Sequence, residues 1–247
     1  MDSAMERWYE VIKNRVSVRK YSGGVGKNEL YTLKEVAKYM SMDEVRIVVG
    51  RNESVFNPLI GKAISGTDTF AALISKDKDM DYMVGSVGEA FVLECTAMGL
   101  GTCWLGLSYN KSALNSCIRF EDPSEKVRCV IAIGHYKEAP SRKRTRKTIF
   151  NLTGLDDNAF KALPEWQKTA VNCARMAPSA MNAQPWEFDI LNKDNIQIAN
   201  VSKNFGYGML DCGIAMLHIE VGAAHCGVYG DWQVEDGLPL FTVDYNA

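Results

Sequence analysis

The sequence predicts an α+β protein made of two related halves, each with a central antiparallel or mixed sheet flanked by helices, arranged about a pseudo-two-fold axis. Helical patterns alternate with short strand patterns along the 247 residues. A helix followed by a glycine also occurs twice, 128 positions apart (213 − 85, 227 − 99 and 232 − 104). The matched positions are Gly85 with Gly213, Gly99 with Gly227, and Trp104 with Trp232. This spacing is too long for a solenoid and favours a fused pseudo-dimer, with halves at residues 1–150 and 151–247.

The first half alternates between the two kinds of pattern. Helices are predicted at 5–15, 28–41, 81–98 and 113–120, and strands at 45–49, 71–75 and 127–136. The helix at 81–98 is apolar nearly all round and rich in small residues, so we expect it in the core. Residues 56–66 look irregular. The glycine-rich residues 99–106 predict a loop whose backbone approaches something flat.

The second half contains a polar turn between a helix and a strand. A helix over 164–176 should end before Pro178, because proline disfavours the helical conformation of the preceding residue. Residues 186–190 alternate like a strand, and 240–243 form another. Between the helix and the strand at 186–190, the ledge (residues 177–185) carries Ser179, Asn182 and Gln184. An ordinary connection is the alternative interpretation, but the density of hydrogen-bonding side chains favours a binding surface.

An alternating segment near the N-terminus predicts an anion site. Arg15, Ser17 and Arg19 alternate with two valines, so an extended backbone would place these three side chains on the same side. Two guanidinium groups and a hydroxyl suit a phosphate. A solvated edge strand is the equally favoured alternative. The basic run at 141–147 is a second phosphate candidate, although such runs are usually solvated linkers or nucleic-acid patches.

Composition argues against several classes of protein. The net charge of −2 gives no indication of a nucleic-acid partner. Seven cysteines without a CxxC pair, and three histidines without ligand spacing, argue against zinc sites and disulfide frameworks and favour reduced thiols in the cytoplasm. No apolar run reaches roughly 18 residues and no signal-peptide pattern is present, so we expect no membrane partner.

Four segments together resemble the nitroreductase family of flavin enzymes. Residues 15–19 resemble its R-R-S-x-R flavin-phosphate segment, with valine as the second residue, and 177–188 resemble its A-P-S-x-x-N-x-Q-P-W-x-F segment. Residues 99–106 resemble its G-L-G-T-x-W-x-G loop beside the flavin ring, and Arg146-Lys147 resemble its late basic pair. Single motifs of this kind are moderate signals, whereas the combination is strong.

The resemblance implies an FMN-binding oxidoreductase in which the flavin N5 carries the hydride and no side chain acts as a nucleophile. It implies that NAD(P)H is the reductant, and that a nitroaromatic, a quinone or a related small electron acceptor is the substrate. No metal is implied. The residues that it assigns to FMN are Arg15, Ser17, Arg19, Leu105, Gly106, Arg146, Lys147, Pro178, Ser179, Asn182 and Gln184.

The order of the segments departs from typical family members. Those proteins are homodimers that carry both the phosphate segment and the A-P-S-x-x-N segment in one subunit, whereas here the first half has one and the second half the other. This predicts one FMN per chain, completed by both halves, and a monomer that acts as an internal pseudo-dimer. Alternatives are other flavin chemistry such as dehalogenation or flavin fragmentation, a flavin sensor or storage protein, and a nucleic-acid binder that uses residues 142–147.

Overall fold

The computed structural model describes residues 3–138 and 145–245. The helices are α1 (Ser3–Ile12), α2 (Lys27–Met40), α3 (Asp81–Ala97), α4 (Lys111–Asn115), α5 (Ile149–Thr153), α6 (Asp157–Ala162), α7 (Glu165–Met176) and α8 (Gly208–His225). The strands are β1 (Val45–Arg51), β2 (Thr69–Ser75), β3 (Gly101–Leu105), β4 (Lys126–Gly134), β5 (Trp186–Asn192), β6 (Asn195–Asn200), β7 (Gly230–Glu235) and β8 (Leu238–Val243). The α+β class with antiparallel central sheets is therefore confirmed.

The chain divides into two compact units. The continuous unit comprises the described residues from 14 to 138, and the discontinuous unit comprises residues 3–13 together with 145–245. Helix α1 thus belongs to the same unit as the C-terminal part of the chain. The compact units differ in this respect from the sequence halves 1–150 and 151–247, which stay a prediction about duplicated segments.

The continuous unit is organised on a four-stranded antiparallel sheet in the order β1-β2-β4-β3. The inner strand β2 is buried at all of its positions, which explains its unbroken apolar sequence. Helix α3 is buried along most of its length. A Cβ on Gly88 would lie 2.3 Å from the Trp104 ring and 2.6 Å from Leu73, so glycine permits the close approach of helix and sheet.

The discontinuous unit contains a second four-stranded antiparallel sheet in the order β5-β6-β8-β7. Helix α8 is apolar on all sides and packs against α7. There a Cβ on Gly222 would lie 2.6 Å from the Cα of Ala170. Helix α1 also belongs to this unit, because Tyr9 stacks on His225 of α8 with ring centroids 3.5 Å apart.

The two units share one topology, as the repeated segment predicts. Each runs helix, strand, strand, core helix, strand, strand, with α4 as an addition in the continuous unit and α1, α5 and α6 as additions in the discontinuous unit. Each sheet places its strands in the order first, second, fourth, third. A left-handed glycine follows each core helix, with φ of 79° at Gly99 and 73° at Gly227. Trp104 and Trp232 then lie in the third strand of their sheets, opposite Ile131 and Phe241.

The predicted loop over residues 99–106 is wrong in its central part. Residues 101–105 form strand β3, because they pair along their length with β4. Strands β6 and β7 and helices α5 and α6 were also not predicted, and the short helix α4 begins and ends earlier than predicted. In the part of the chain that the structure describes, no helix is long and apolar enough to span a bilayer.

Candidate functional site

The ledge follows α7 and has an unusual backbone. One turn of 3-10 helix over Ala180–Asn182 replaces the α-helix after Pro178. Met181, Asn182 and Gln184 have φ of 53°, 58° and 50°. Residues with a Cβ rarely adopt this left-handed region, and they persist there only where the surroundings hold them. Such strain is typical of binding sites and makes the ledge a candidate.

Side chains predicted to bind a ligand hold the ledge together. Ser179 Oγ accepts a hydrogen bond from the Gln184 amide at 2.9 Å, and Gln184 Nε2 donates to the Asn182 carbonyl at 3.2 Å. The Asn182 amide donates to the Ser179 carbonyl at 3.0 Å. Gln184 is only 5% exposed, so burial adds to the rigidity of this turn.

The basic pair predicted for the phosphate lies directly on the ledge. Arg146 Nη1 donates to Asn182 Oδ1 at 2.8 Å, and Arg146 Nη2 donates to the Met176 carbonyl at 2.9 Å. Asn182 Nδ2 donates to the Thr145 carbonyl at 3.0 Å, and the Lys147 amide donates to Gln184 Oε1 at 2.8 Å. The discontinuous unit therefore brings Arg146, Lys147 and the polar ledge residues together, across about thirty-five positions of sequence. The other basic positions of the run, 142–144, lie outside the described residues.

A second strained turn supports the ledge and was missed by the sequence analysis. Asn204 and Phe205 have φ of 39° and 57°. Asn204 Nδ2 donates to the Ala180 carbonyl at 3.0 Å and to Asp211 Oδ2 at 2.6 Å, while the Ala180 amide donates to Asp211 Oδ1 at 3.0 Å. Asp211 is 2% exposed, and burial raises its pKa to about 7. An aspartate inside a largely apolar helix was the signal that could have identified it.

In the continuous unit, the arginine segment has a different environment from the one expected. Arg15 is 4% exposed and its Nε lies 3.7 Å from Glu89 Oε1, whereas Arg19 is exposed and Ser17 is half-buried. The segment is extended beside β3, because the Val18 amide donates to the Thr102 carbonyl at 2.8 Å. The two arginines therefore differ in burial, although the simple alternation predicted equivalent positions.

Glu89 of α3 connects this arginine to the segment that resembles the flavin-ring loop. Its side chain is fully buried, and Oε2 accepts a hydrogen bond from Trp104 Nε1 at 2.9 Å. Leu105 ends β3 in a buried position, and its carbonyl accepts a hydrogen bond from Cys129 Sγ at 3.1 Å. Gly106 follows outside the strand. The continuous unit thus connects Arg15, Glu89 and Trp104, the residue before Leu105, in one largely buried network.

The histidines have structural surroundings. His218 is fully buried, and its Nδ1 lies 2.9 Å from the Cys173 carbonyl. His135 Nε2 lies 3.0 Å from Glu29 Oε2 at the surface. Both side chains therefore make contacts that stabilise the fold.

Comparisons with known proteins place the chain in a family. A family model described as "Putative TM nitroreductase" matches residues 7–223. A solved structure from Thermotoga maritima, titled a putative nitroreductase, is 22% identical, covers 97% of this chain and 94% of its own, and has a TM-score of 0.67. No match was found among the curated proteins.

Partial likenesses to smaller proteins also occur. A nitroreductase in complex with FMN from Desulfovibrio desulfuricans is 19% identical over 56% of this chain and 91% of its own, with a TM-score of 0.44. A structure from Clostridium acetobutylicum, titled a putative NADH oxidase, is 18% identical over 57% of this chain and 96% of its own, with the same TM-score. The fold follows from the Thermotoga maritima structure, and the family follows from the model that spans most of the sequence: the chain belongs to the nitroreductase family.

Proposed function

We propose that the protein is an FMN-dependent oxidoreductase that uses NAD(P)H to reduce a nitroaromatic, a quinone or a related small electron acceptor. The observation that carries this proposal is the family match over residues 7–223, within which every residue assigned to FMN lies. Family membership supports an oxidoreductase. The cofactor, the reductant and the acceptor are the proposed part. We also propose one FMN per chain and a monomeric protein that works in the cytoplasm.

The residues present fit a flavin mononucleotide. A phosphate with about two negative charges requires cationic donors, and each unit offers a pair of them: Arg15 and Arg19 in the continuous unit, and Arg146 and Lys147 in the discontinuous unit. Arg15 and Arg146 are already held by hydrogen-bonding or ionic partners, so they lose less conformational freedom when a ligand binds. The left-handed ledge is the second feature that fits, because its backbone is fixed by internal contacts before any ligand is present.

In the continuous unit, we assign Arg15, Ser17 and Arg19 to the phosphate and to the pyrimidine edge of the flavin. The backbone N–H groups of Leu105 and Gly106 would donate to the ring near N5 and O4. Fixed donors at such positions stabilise negative charge without reorganisation. The bound FMN would supply the hydride and electron transfer, so the protein needs to bind, orient and exclude water.

In the discontinuous unit, we assign Arg146 and Lys147 to the phosphate and Pro178, Ser179, Asn182 and Gln184 to the ring or the ribityl hydroxyls. The contacts refine these roles. The Asn182 carboxamide bonds both to Arg146 and to Thr145, so it also aligns the Arg146 guanidinium. Gln184 is buried, and its Oε1 accepts a hydrogen bond from the backbone amide of Lys147. Its proposed contribution is therefore to shape the site.

The first experiment is spectroscopic. The purified protein is reconstituted with excess FMN, separated from free cofactor and examined for flavin absorbance. Anaerobic NADH or NADPH should bleach the bound flavin, and a nitroaromatic or a quinone should restore it. Failure to retain any flavin would contradict the whole proposal. Retention without bleaching by either nucleotide would instead favour a sensor or storage protein.

The second experiment places the site. Arg15→Ala should weaken FMN binding about 10- to 100-fold, because a hydrogen bond to a charged group contributes roughly 1.5–3 kcal/mol. Asn182→Ala should weaken it about 2- to 10-fold, because a hydrogen bond between neutral groups contributes roughly 0.5–1.5 kcal/mol. The control is Arg51→Ala, which removes an exposed arginine paired with Asp68 in the continuous unit and should leave FMN affinity unchanged. Unchanged affinity in both test variants would show that the assigned residues do not bind FMN.

A further inference from the structure

Asp211 is a buried carboxyl group for which the proposed chemistry has no use. It lies in the first turn of α8, a helix whose other buried positions are nearly all apolar. A buried carboxyl is unfavourable unless hydrogen bonds compensate for the lost hydration. An acidic residue near a helix N-terminus is often explained by the helix dipole. Here each carboxyl oxygen accepts a hydrogen bond from outside the helix, one from the ledge and one from Asn204.

These hydrogen bonds connect the two most strained turns of the chain. Six residues other than glycine have a positive φ within the described ranges, 3–138 and 145–245. Five of them lie in the ledge and in the turn at 204–205, and the sixth lies in the β7–β8 hairpin. The left-handed conformation is unfavourable for residues with a Cβ, because the Cβ then lies too close to the following carbonyl oxygen. The surroundings must therefore supply contacts that favour this geometry over a relaxed one.

The turn at 204–205 is fixed on both sides, so it can serve as an anchor. A Cβ on Gly208, the first residue of α8, would lie 2.1 Å from the Ser202 carbonyl oxygen and 2.6 Å from Asn200 Oδ1. This close packing fixes the start of α8 against the end of β6. Asn204 Nδ2 then reaches both Asp211 and the Ala180 carbonyl. The carboxyl group and the amide close a ring of hydrogen bonds around Ala180.

We propose that Asp211 is a positioning residue for the ledge: by bonding Ala180 and Asn204 at once, it holds Met181, Asn182 and Gln184 in the left-handed conformation that FMN binding requires. The role in FMN binding rests on the function proposed above, whereas the effect of Asp211 on the ledge conformation does not depend on that function. Burial keeps water from competing for the carboxyl oxygens, which strengthens the link.

The test uses two carboxyl groups of the same helix. Asp211→Asn keeps the shape and an acceptor for the Ala180 amide but directs an NH₂ group at the NH₂ group of Asn204. The matched control is Glu220→Gln, which changes the α8 carboxyl that bonds Trp232 in β7. Asn204→Ala removes the other partner without altering α8. Circular dichroism and urea unfolding establish which variants are folded.

The first readout is amide hydrogen exchange of a peptide that covers residues 177–188. Asp211→Asn and Asn204→Ala should each raise its exchange rate about tenfold or more. An unsatisfied buried group destabilises the closed ledge, which raises the equilibrium constant for local opening by roughly a factor of ten or more. Glu220→Gln should leave this peptide unchanged. Equal exchange in wild type, Asp211→Asn and Asn204→Ala would overturn the proposal.

The second readout is the dissociation constant for FMN. We expect it to rise about tenfold in Asp211→Asn and to stay within about twofold in Glu220→Gln. An affinity loss as large in Glu220→Gln would indicate a general effect on α8 and refute the positioning role. If the wild type binds no FMN, the proposed function fails, and the exchange data alone decide whether Asp211 holds the ledge.

Discussion

The two units build the same topology but connect its first helix to its first strand differently. In the continuous unit, residues 41–44 join α2 to β1, and Ser41 completes the turn by accepting the Ile47 amide on its Oγ. In the discontinuous unit, the ledge joins α7 to β5 with nine residues, three of them left-handed. The shared core shows what the fold requires. The longer connection shows where one copy differs for a reason other than folding.

A second difference concerns an acid that both units place on the core helix. Glu89 and Glu220 each accept a hydrogen bond from the tryptophan of the third strand, Trp104 at 2.9 Å and Trp232 at 2.6 Å. Glu89 also forms an ion pair with Arg15. Burial raises the pKa of Glu220 to about 7. The same pair of side chains therefore supports a buried cation in one unit and a partly protonated carboxyl in the other.

The largest expected effect tests this difference in charge. Glu89→Ala should lower the free energy of unfolding by about 3–5 kcal/mol, because it removes an anionic partner of a buried arginine. Glu220→Ala should cost only about 1–3 kcal/mol, the range for a lost hydrogen bond that leaves Trp232 unsatisfied. Urea unfolding at pH 7 measures both. Equal losses would mean that the Arg15 pair contributes nothing beyond the tryptophan bond.

An intermediate effect concerns pH. Carboxyl groups of the discontinuous unit, Asp211 and Glu220, have a pKa raised to about 7 by burial. In the unfolded chain they ionise near pH 4. Between about pH 4 and pH 7 the folded state therefore binds more protons, and the free energy of unfolding falls as pH rises. Asp211→Asn should remove roughly 2–4 kcal/mol of this decline, at about 1.4 kcal/mol per pKa unit.

The continuous unit supplies the control for that measurement. Hydrogen bonds from Ser124 lower the pKa of Asp122 to about 2. Its contribution is present above pH 4 and is lost only below it, so Asp122→Asn should leave the slope between pH 5 and pH 7 unchanged. Urea unfolding across this interval tests all the variants. A wild-type protein with constant stability from pH 5 to pH 7 would contradict the raised pKa values.

The smallest effect sharpens the similarity of the units. Gly99→Ala and Gly227→Ala should each destabilise by about 1–2 kcal/mol, because both glycines are left-handed and neither has an atom within 4 Å of an added Cβ. The cost is conformational in both cases and should therefore be nearly equal. Gly23→Ala is the control, since it also meets nothing within 4 Å and has no positive φ, and should change stability by less than about 0.5 kcal/mol. A large inequality between the first two variants would show that the helix ends are not equivalent.

Much of the fold could be predicted from local pattern, and the failures have a physical cause. Helices α2, α3 and α7 lie within a residue or two of their predicted bounds, because each has a clear apolar period or a proline at its end. The sequence predicts a loop at residues 101–105, because their glycine-rich flanks resemble a turn. They are a strand because β4 supplies a partner about thirty positions away. Pairing of this kind leaves no local signal.

The candidate site was predictable in composition but not in its connections. The polar residues of the ledge indicated hydrogen bonding, and the structure shows that much of it is internal. Nothing near Asn182 in the sequence could indicate that Arg146 bonds to it. Asn204 and Asp211 were missed because they belong to no recognised segment and act through contacts with Ala180. Their roles, and those of the FMN residues, stay predictions until measured.

The discontinuous unit has a consequence for folding during synthesis. Helix α1 emerges from the ribosome early. Its Tyr9 lies near Cys173 and His225, and both are synthesised more than 150 residues later. At ~5–20 residues per second, this delay is on the order of ten seconds. The continuous unit can complete its sheet in that interval, whereas α1 must wait with Trp8 and Ile12 not yet buried. We expect ribosome-bound chains in which residues up to about 143 have left the exit tunnel to hold a folded sheet and a protease-sensitive N-terminal helix.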